Sequence, residues 1–345
     1  YPNNDVGISE WGSNNFMHSR GEVRSFLQSC ANYWLRTFHF DGLRMDAISR
    51  IIYWHGDEKR GVNGNAVDFI KYMNQGLKDR NPGCFLAAED STNFANVTKS
   101  VSEGGLGFDY KWDMGWMHDT LSYFQMSPDD RYNNYHKLTF SMMYYYNEKF
   151  LLPLSHDEVV HGKATILQKM YGDYDIKFPQ ARAFYMYMMV HPGKKLNFMG
   201  NELGQFREWD EKREQDFMLL DFPIHRAFNN YIADLNKNYL SHPAFFGKEY
   251  DYDGFKWLDC NSPDRLMYSI LREDNKSRIF AIFNFSKYEH YRIELPDNKG
   301  VNILMNSDWK CYGGNADENN VFWHIDGNTL TCTMPRFSAA LFELK

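Results

Sequence analysis

Apolar residues recur at intervals of three and four from residue 22 to 38, through Val23, Phe26, Leu27, Cys30, Tyr33, Trp34 and Phe38, and this spacing predicts an amphipathic helix. A short apolar run follows at 38–47. Helix-like spacing returns at 48–54 and at 67–77, where Asn81-Pro82-Gly83 breaks it. Further short runs at 84–90, 107–113, 151–157 and 195–202 each end in Asp, Glu or His, and helical sequence at 114–124, 135–147 and 178–190 lies between them. Strands alternating with helices predict a parallel sheet built from right-handed crossovers. Polar groups at the ends of the runs predict an α/β fold of the (β/α)8 TIM-barrel type, with its site at the carboxyl face. A doubly wound sheet would carry a Gly-rich phosphate loop after a strand, and no run is followed by one. Asp41-Gly42 by itself suggests a hairpin turn, but no second alternating strand follows it. Residues 1–20, rich in Asn, Gly and Ser, read as an extended loop, and 56–65 as a polar loop at the rim of a site.

Beyond about residue 240 the pattern changes. Runs at 255–258, 266–271, 278–285, 291–295 and 339–344 are short, rich in β-formers and separated by Asn, Asp, Gly and Pro. They predict an all-β antiparallel sandwich. The expected division is therefore 1–240 for the barrel part and 241–345 for the β domain, with no flexible linker.

Length and charge narrow the partners. The 345 residues suffice for a large core, and a net charge of -7 without a basic stripe leaves nucleic acid little electrostatic support. A neutral substrate fits better. Aromatic residues make up 17% of the chain, which suits either a bulky core or surfaces for stacking on sugars, and a core alone accounts for most of these rings. No run of about 18 apolar residues offers a membrane span. Cys30, Cys84, Cys260, Cys311 and Cys332 form no CxxC pair and are odd in number, so a reducing, cytoplasmic setting is expected. No cofactor is expected.

The chemistry concentrates at three acids placed after apolar runs, Asp46, Glu89 and Asp157. Breaking a glycosidic bond needs one carboxylate at the anomeric carbon and one carboxylic acid at the leaving oxygen. Arg44, two residues before Asp46, points to the same side of a strand and would pair with it. His156 would donate to a sugar hydroxyl. Taken singly, each acid also reads as a helix cap or turn residue, and His156 as a packing histidine. Metal binding by His156, Asp157 and His161 is weakly supported, because no HxxxH spacing accompanies them, and no metal site is expected. Trp54, Trp112 and Trp209, expected on loops, are candidates for stacking on sugar rings, although a Trp beside a core usually packs. Lys163 and Glu158 are candidates for the rim.

Asp41-Gly42-Leu43-Arg44-Met45-Asp46-Ala47, Ala88-Glu89-Asp90-Ser91-Thr92 and the segment 154–163 resemble the second, third and fourth signature regions of the α-amylase superfamily. The segments 155–163, 107–117, 192–196, 199–202 and 207–210 together resemble the bacterial 1,4-α-glucan (glycogen) branching enzymes over nearly the whole chain. The resemblance implies Asp46 as nucleophile, Glu89 as general acid and base, and Asp157 as the acid that stabilises the transition state. Arg44 and His156 would share that subsite, and an α-1,4-glucan such as glycogen or amylose would be the substrate. The implied reaction is retaining cleavage through a covalent glycosyl-enzyme and transfer to a 6-hydroxyl. A hydrolase of the α-amylase or debranching kind, or a non-catalytic glycan-binding remnant, would share most of these residues.

The family's first signature region has no counterpart here, and about five of eight barrel strands are accounted for. The expectation is that this is the carboxy-terminal part of a longer polypeptide, completed by its amino-terminal portion or by another chain. By itself it should be weakly active or inactive.

Overall fold

The computed structural model describes residues 4–261 and 266–345. The first three residues of the loop expected over 1–20 lie outside these. The remainder contains a helical turn, α1 (Asn4–Gly7), and a bridge between Ile8 and Asn14. The chain forms two compact units, Tyr1–Gly115 with Asn147–Leu151, and Trp116–Tyr146 with Leu152–Lys345.

Five short strands make one parallel sheet, a half-barrel, in the order β1 (Gly42–Met45), β2 (Phe85–Ala88), β3 (Tyr110–Trp112), β4 (Phe150–Leu154) and β5 (Lys194–Asn197). Sheet order follows chain order, as successive right-handed crossovers require. The five apolar runs that end in polar groups supply these five strands.

In the first unit, α2 (Gly21–Thr37), α3 (Ser49–Ile52) and α4 (Gly64–Arg80) cover the strands. The apolar positions Phe69, Ile70, Met73 and Leu77 of α4 fall on one helical face and join Ile48, Ile52 and Leu86 in a single core. Each such side chain contributes about 1.5–3 kcal/mol when fully buried. Asn63 caps α4 by accepting the Ala66 N–H. Gly42 is not part of a turn. It opens β1 opposite Phe85, and a Cβ there would lie 2.3 Å from the Phe85 carbonyl oxygen, so close approach of β2 demands glycine. The helix-like stretch 48–54 divides into α3 and a 3-10 turn at Trp54–Gly56, with His55 at φ 58°. Tyr33 and Trp34 of α2, with Phe38 and Phe40 beyond it, form an exposed cluster in which the Trp34 and Phe38 rings lie 4.8 Å apart.

The second unit contains α6 (Pro128–Asn133), α7 (Tyr174–Val190), α8 (Pro223–Ser241) and most of α5 (Met114–Gln125). From Gln180 to Val190 every residue of α7 is buried, the condition of a helix enclosed on all sides. Residues 135–147, expected as helix, instead form three 3-10 turns, Tyr135–Leu138, Phe140–Met143 and Tyr145–Asn147. This aromatic stretch is a poor helix former, and its side chains are engaged elsewhere: Tyr145 donates its hydroxyl to the Glu249 carbonyl (3.0 Å) and stacks on Tyr250.

The β-rich segment forms two antiparallel sheets. One has the order β10 (Val301–Asn306), β13 (Ser338–Leu344), β8 (Arg278–Asn284), β7 (Met267–Glu273), β6 (Phe255–Asp259); the other is β11 (Trp323–Asp326), β12 (Thr329–Thr333), β9 (His290–Glu294). Their inner faces meet in one core containing Leu271, Phe280, Ile282, Phe342, Ile293 and Leu330, with Phe280 stacked on Phe342 at 4.7 Å. The sequence pattern showed β6–β9 and β13 but not β10–β12.

These sheets share a compact unit with α7 and α8 because buried side chains bind them together. Arg272 of β7, fully buried, donates to the carbonyls of Gly254 (3.0 Å), Val190 (2.8 Å) and Phe245 (2.9 Å). Arg182 of α7 donates to the Ser307 carbonyl, and Tyr231 of α8 to that of Arg182 (2.7 Å). Replacing Arg272 by Met strands three buried acceptors and should destabilise the fold by about 3–5 kcal/mol in urea unfolding. Arg272→Lys should recover part of this, since one ammonium cannot reach three diverging carbonyls.

Candidate active site

In the first unit, parallel pairing of β1 with β2 sets Met45 against Ala88, so the next residues, Asp46 and Glu89, leave adjacent strand ends together. The Glu89 N–H donates to the Met45 carbonyl (3.0 Å), and the Ile48 N–H to that of Glu89 (3.0 Å). Arg44 stands between the two carboxylates. Its Nη1 donates to Asp46 Oδ1 (3.0 Å) and its Nη2 to both Asp46 Oδ1 and Glu89 Oε2, the latter at 2.7 Å. The guanidinium lies 4.5 Å over the Trp112 ring, a cation–π support that fixes the plane of the fork. The Asp46 side chain is 76% exposed and that of Glu89 18%.

In the second unit β4 ends at Leu154, and Ser155 Oγ accepts the Asp157 N–H (3.3 Å), turning His156 and Asp157 outward. His156 Nε2 lies 3.4 Å from Asp157 Oδ1, and its ring faces Phe198 and Trp209 at 5.8 and 6.2 Å. His156, Asp157 and Trp209 line a cavity of about 440 Å³ with His161, Arg207 and Glu208. The loop behind it bends sharply: His161, Gly162 and Ala164 all have φ between 58° and 79°. Glu208 stabilises that bend by accepting the N–H groups of Gly162 (2.9 Å) and Ala164 (2.7 Å). Buried Lys169 donates to the carbonyls of Glu158 and Ala164 (2.6 Å) beneath it, and Trp209 is tied by its N–H to the Val159 carbonyl (3.0 Å).

Arg44, Asp46 and Glu89 thus come together in one unit, and His156, Asp157 and Trp209 in the other. Lys163 is half-exposed at the rim, 3.5 Å from Glu158 Oε1. Trp54 is half-buried in its 3-10 turn. Trp112, expected on a loop for sugar stacking, lies within β3, 5% exposed, with Arg44 on its face, so the ring supports the arginine rather than a ligand. Among the described residues no group of three or more His, Cys, Asp or Glu is arranged to hold a metal ion. No helix among them is long and apolar enough to cross a membrane.

Sequence reasoning missed Glu208, whose role depends on backbone N–H groups some 45 residues away. It also passed over Lys111, a cation in the middle of an apolar run. That anomaly was visible, because a lysine in a buried strand must have a partner.

Comparison with known proteins bears on the fold. Residues 257–345 match the family described as "Alpha amylase, C-terminal all-beta domain". Among solved structures, an α-amylase from H. orenii superposes with a TM-score of 0.66 at 15% identity, covering 97% of this chain and 67% of that one. A Nostoc punctiforme debranching enzyme gives 0.68 at 15% identity, covering 97% and 65%. The parallel half-barrel followed by this sandwich therefore has the fold of those enzymes. Curated relatives are nearer still: the 1,4-alpha-glucan branching enzymes GlgB of Bacillus cereus (strain G9842) and Bacillus thuringiensis subsp. konkukian (strain 97-27) are each 41% identical over 326 residues, 92% of this chain. The chain is thus similar to 1,4-alpha-glucan branching enzymes over nearly all of its own length, and it spans about half the length of the curated relatives it matches.

The two N–H groups on Glu208 hold its carboxyl below the ordinary glutamate value. A depressed folded-state pKa contributes stability above the unfolded value and loses it as pH falls through the folded one. The contribution of Glu208 to the loop is therefore present at neutral pH and lost in acid. Glu208→Ala should speed amide exchange across 160–164 about fivefold at pH 7, read by mass spectrometry, and should remove the acid-dependent increase seen in the unsubstituted protein.

Proposed function

We propose that the whole protein is a 1,4-α-glucan branching enzyme, in which Asp46 attacks, Glu89 shuttles the proton and Asp157 stabilises the transition state. The observation that carries this reading is the placement of Asp46 and Glu89 one residue beyond paired, adjacent strands. Neighbouring strands lie about 4.8 Å apart, and a retaining pair of carboxyl groups needs about 5–5.5 Å, whereas an inverting pair needs about 6.5–9.5 Å.

The reaction follows from that spacing. An Asp46 oxygen bonds to the anomeric carbon of an α-1,4-linked glucose while the C1–O4 bond breaks, and the Glu89 proton passes to O4 of the departing glucan. Glu89, now a carboxylate, takes the proton of an incoming 6-hydroxyl as its oxygen bonds to C1 and the bond to Asp46 breaks. Both glycosidic bonds keep the α configuration because C1 is inverted twice. Asp157, just beyond the end of β4, takes the role of gripping sugar hydroxyls, with His156 donating beside it. Trp209 offers a stacking face, while Lys163 and Trp54 contact more distant glucose units. Trp112 is left out of this set, since Arg44 occupies its face. The barrel part ends near 240 and the β domain follows, and the five free cysteines support a reducing, cytosolic setting.

The test uses amylose and the whole enzyme. Loss of iodine staining with new α-1,6 linkages and constant reducing ends is the expected result. New reducing ends without branches would make the protein a hydrolase, and no change a binding protein. Asp46→Asn should lower transfer at least about 10³-fold, as removal of a covalent nucleophile does; a variant that retains a tenth of the activity refutes the assignment.

A further inference from the structure

Lys111 is the middle residue of β3, between Tyr110 and Trp112, and both it and its partner Asp90 are almost fully buried. The Lys111 ammonium lies 2.9 Å from Asp90 Oδ2 and donates to the Thr92 carbonyl at 2.8 Å. Asp90 Oδ1 in turn accepts the Thr92 N–H (3.1 Å) and hydroxyl (2.9 Å). The turn 90–92 is thereby closed upon a single cation.

Asp90 directly follows Glu89. The backbone of Glu89 is held on the other side by Met45 and Ile48 of the first strand unit. One peptide farther along, Asp90 is held by Lys111. The next residue of β3, Trp112, points to the opposite face and carries Arg44, whose Nη2 reaches Glu89 Oε2. Consecutive residues of a strand that bears no acid of the proposed mechanism therefore fix Glu89 twice, through its backbone and through its carboxylate.

Stability alone does not account for an ion pair so deeply placed. Apolar residues of the same volume are commonly as stable or more so, since the desolvation of both charges offsets their attraction. What the pair supplies is direction: two acceptors on Lys111 and a hydrogen-bonded turn leave the following backbone one position.

We infer that Lys111 is a positioning residue that, through Asp90, holds Glu89 where its carboxyl meets both Arg44 and the leaving oxygen. The inference rests on the reading of Glu89 as acid and base. Lys111→Met combined with Asp90→Asn removes both charges together and leaves no ion unpaired. In the whole enzyme this variant should keep its circular dichroism and lower kcat at least tenfold, with KM within twofold. The alkaline limb of the kcat profile should move to higher pH, because a carboxyl released from Arg44 loses the cation that favours its charged form. Thr92→Val loosens the turn with both charges in place and should change kcat about threefold in the same direction, which keeps the test decisive if the double variant does not fold. Wild-type kcat and pH profile in these variants, alongside an inactive Glu89→Gln, overturn the positioning role and spare the role of Glu89. An active Glu89→Gln overturns both.

Discussion

Burying a cation costs more than a single hydrogen bond returns, so a chain that buries several must meet each with fixed acceptors. This one buries Lys111, Arg131, Lys169, Arg182 and Arg272. Every one of them donates to at least one backbone carbonyl: Lys111 to Thr92, Arg131 to Tyr123 and Phe124, Lys169 to Glu158 and Ala164, Arg182 to Ser307, and Arg272 to three. A carbonyl is part of the main chain and cannot change rotamer. Each buried cation therefore pins a loop or joins two elements, and these pins set the architecture of both units.

In the second unit the pins explain why a change in the type of secondary structure near residue 240 is not a change of compact unit. Arg182 and Arg272 join α7 to the β sheets, while Tyr268 reaches the Tyr135 carbonyl and Tyr312 reaches Asp234 of α8. In the first unit Lys111 does the same on a smaller scale, over three residues of turn. The loop after β4 combines both devices: Lys169 holds it from beneath through carbonyls, and Glu208 from the side through N–H groups. Strand ends alone place a side chain to within a residue; these contacts orient it.

The sequence showed the frame well because the frame is set by local rules. Five apolar runs ending in polar groups became the five parallel strands, since strands of a parallel sheet covered by helices are mostly apolar until they emerge, even where, as in β1 and β5, they are only partly buried. Asp46, Glu89 and His156-Asp157 were legible for the same reason, and Arg44 by the alternation of a strand. Three kinds of feature were not legible. The turns at 135–147 followed an aromatic run whose partners, such as Glu249, lie far along the chain. Strands β10 to β12 were too polar on their outer faces to stand out from turns. Trp112 looked like a loop tryptophan, but its face is covered by an arginine 68 residues earlier, a contact that spacing cannot reveal.

The division of labour proposed for the two carboxylates follows from how a guanidinium spends its donors. A lysine in place of Arg44 would be a point charge, unable to lie flat on Trp112 and to reach two carboxylates at fixed angles. The fork instead gives both terminal nitrogens to Asp46 and one of them to Glu89. An ionised carboxylate is a pure acceptor, so the group that receives both nitrogens is suited to remain the anion that attacks. Glu89 meets the fork through Oε2 and sits deeper, at 18% exposure against 76% for Asp46, in surroundings that suit a group alternating between acid and base. One cation shared unequally between two acids thus supports the different tasks proposed for them, and the flat aromatic ring beneath it fixes the plane of the fork.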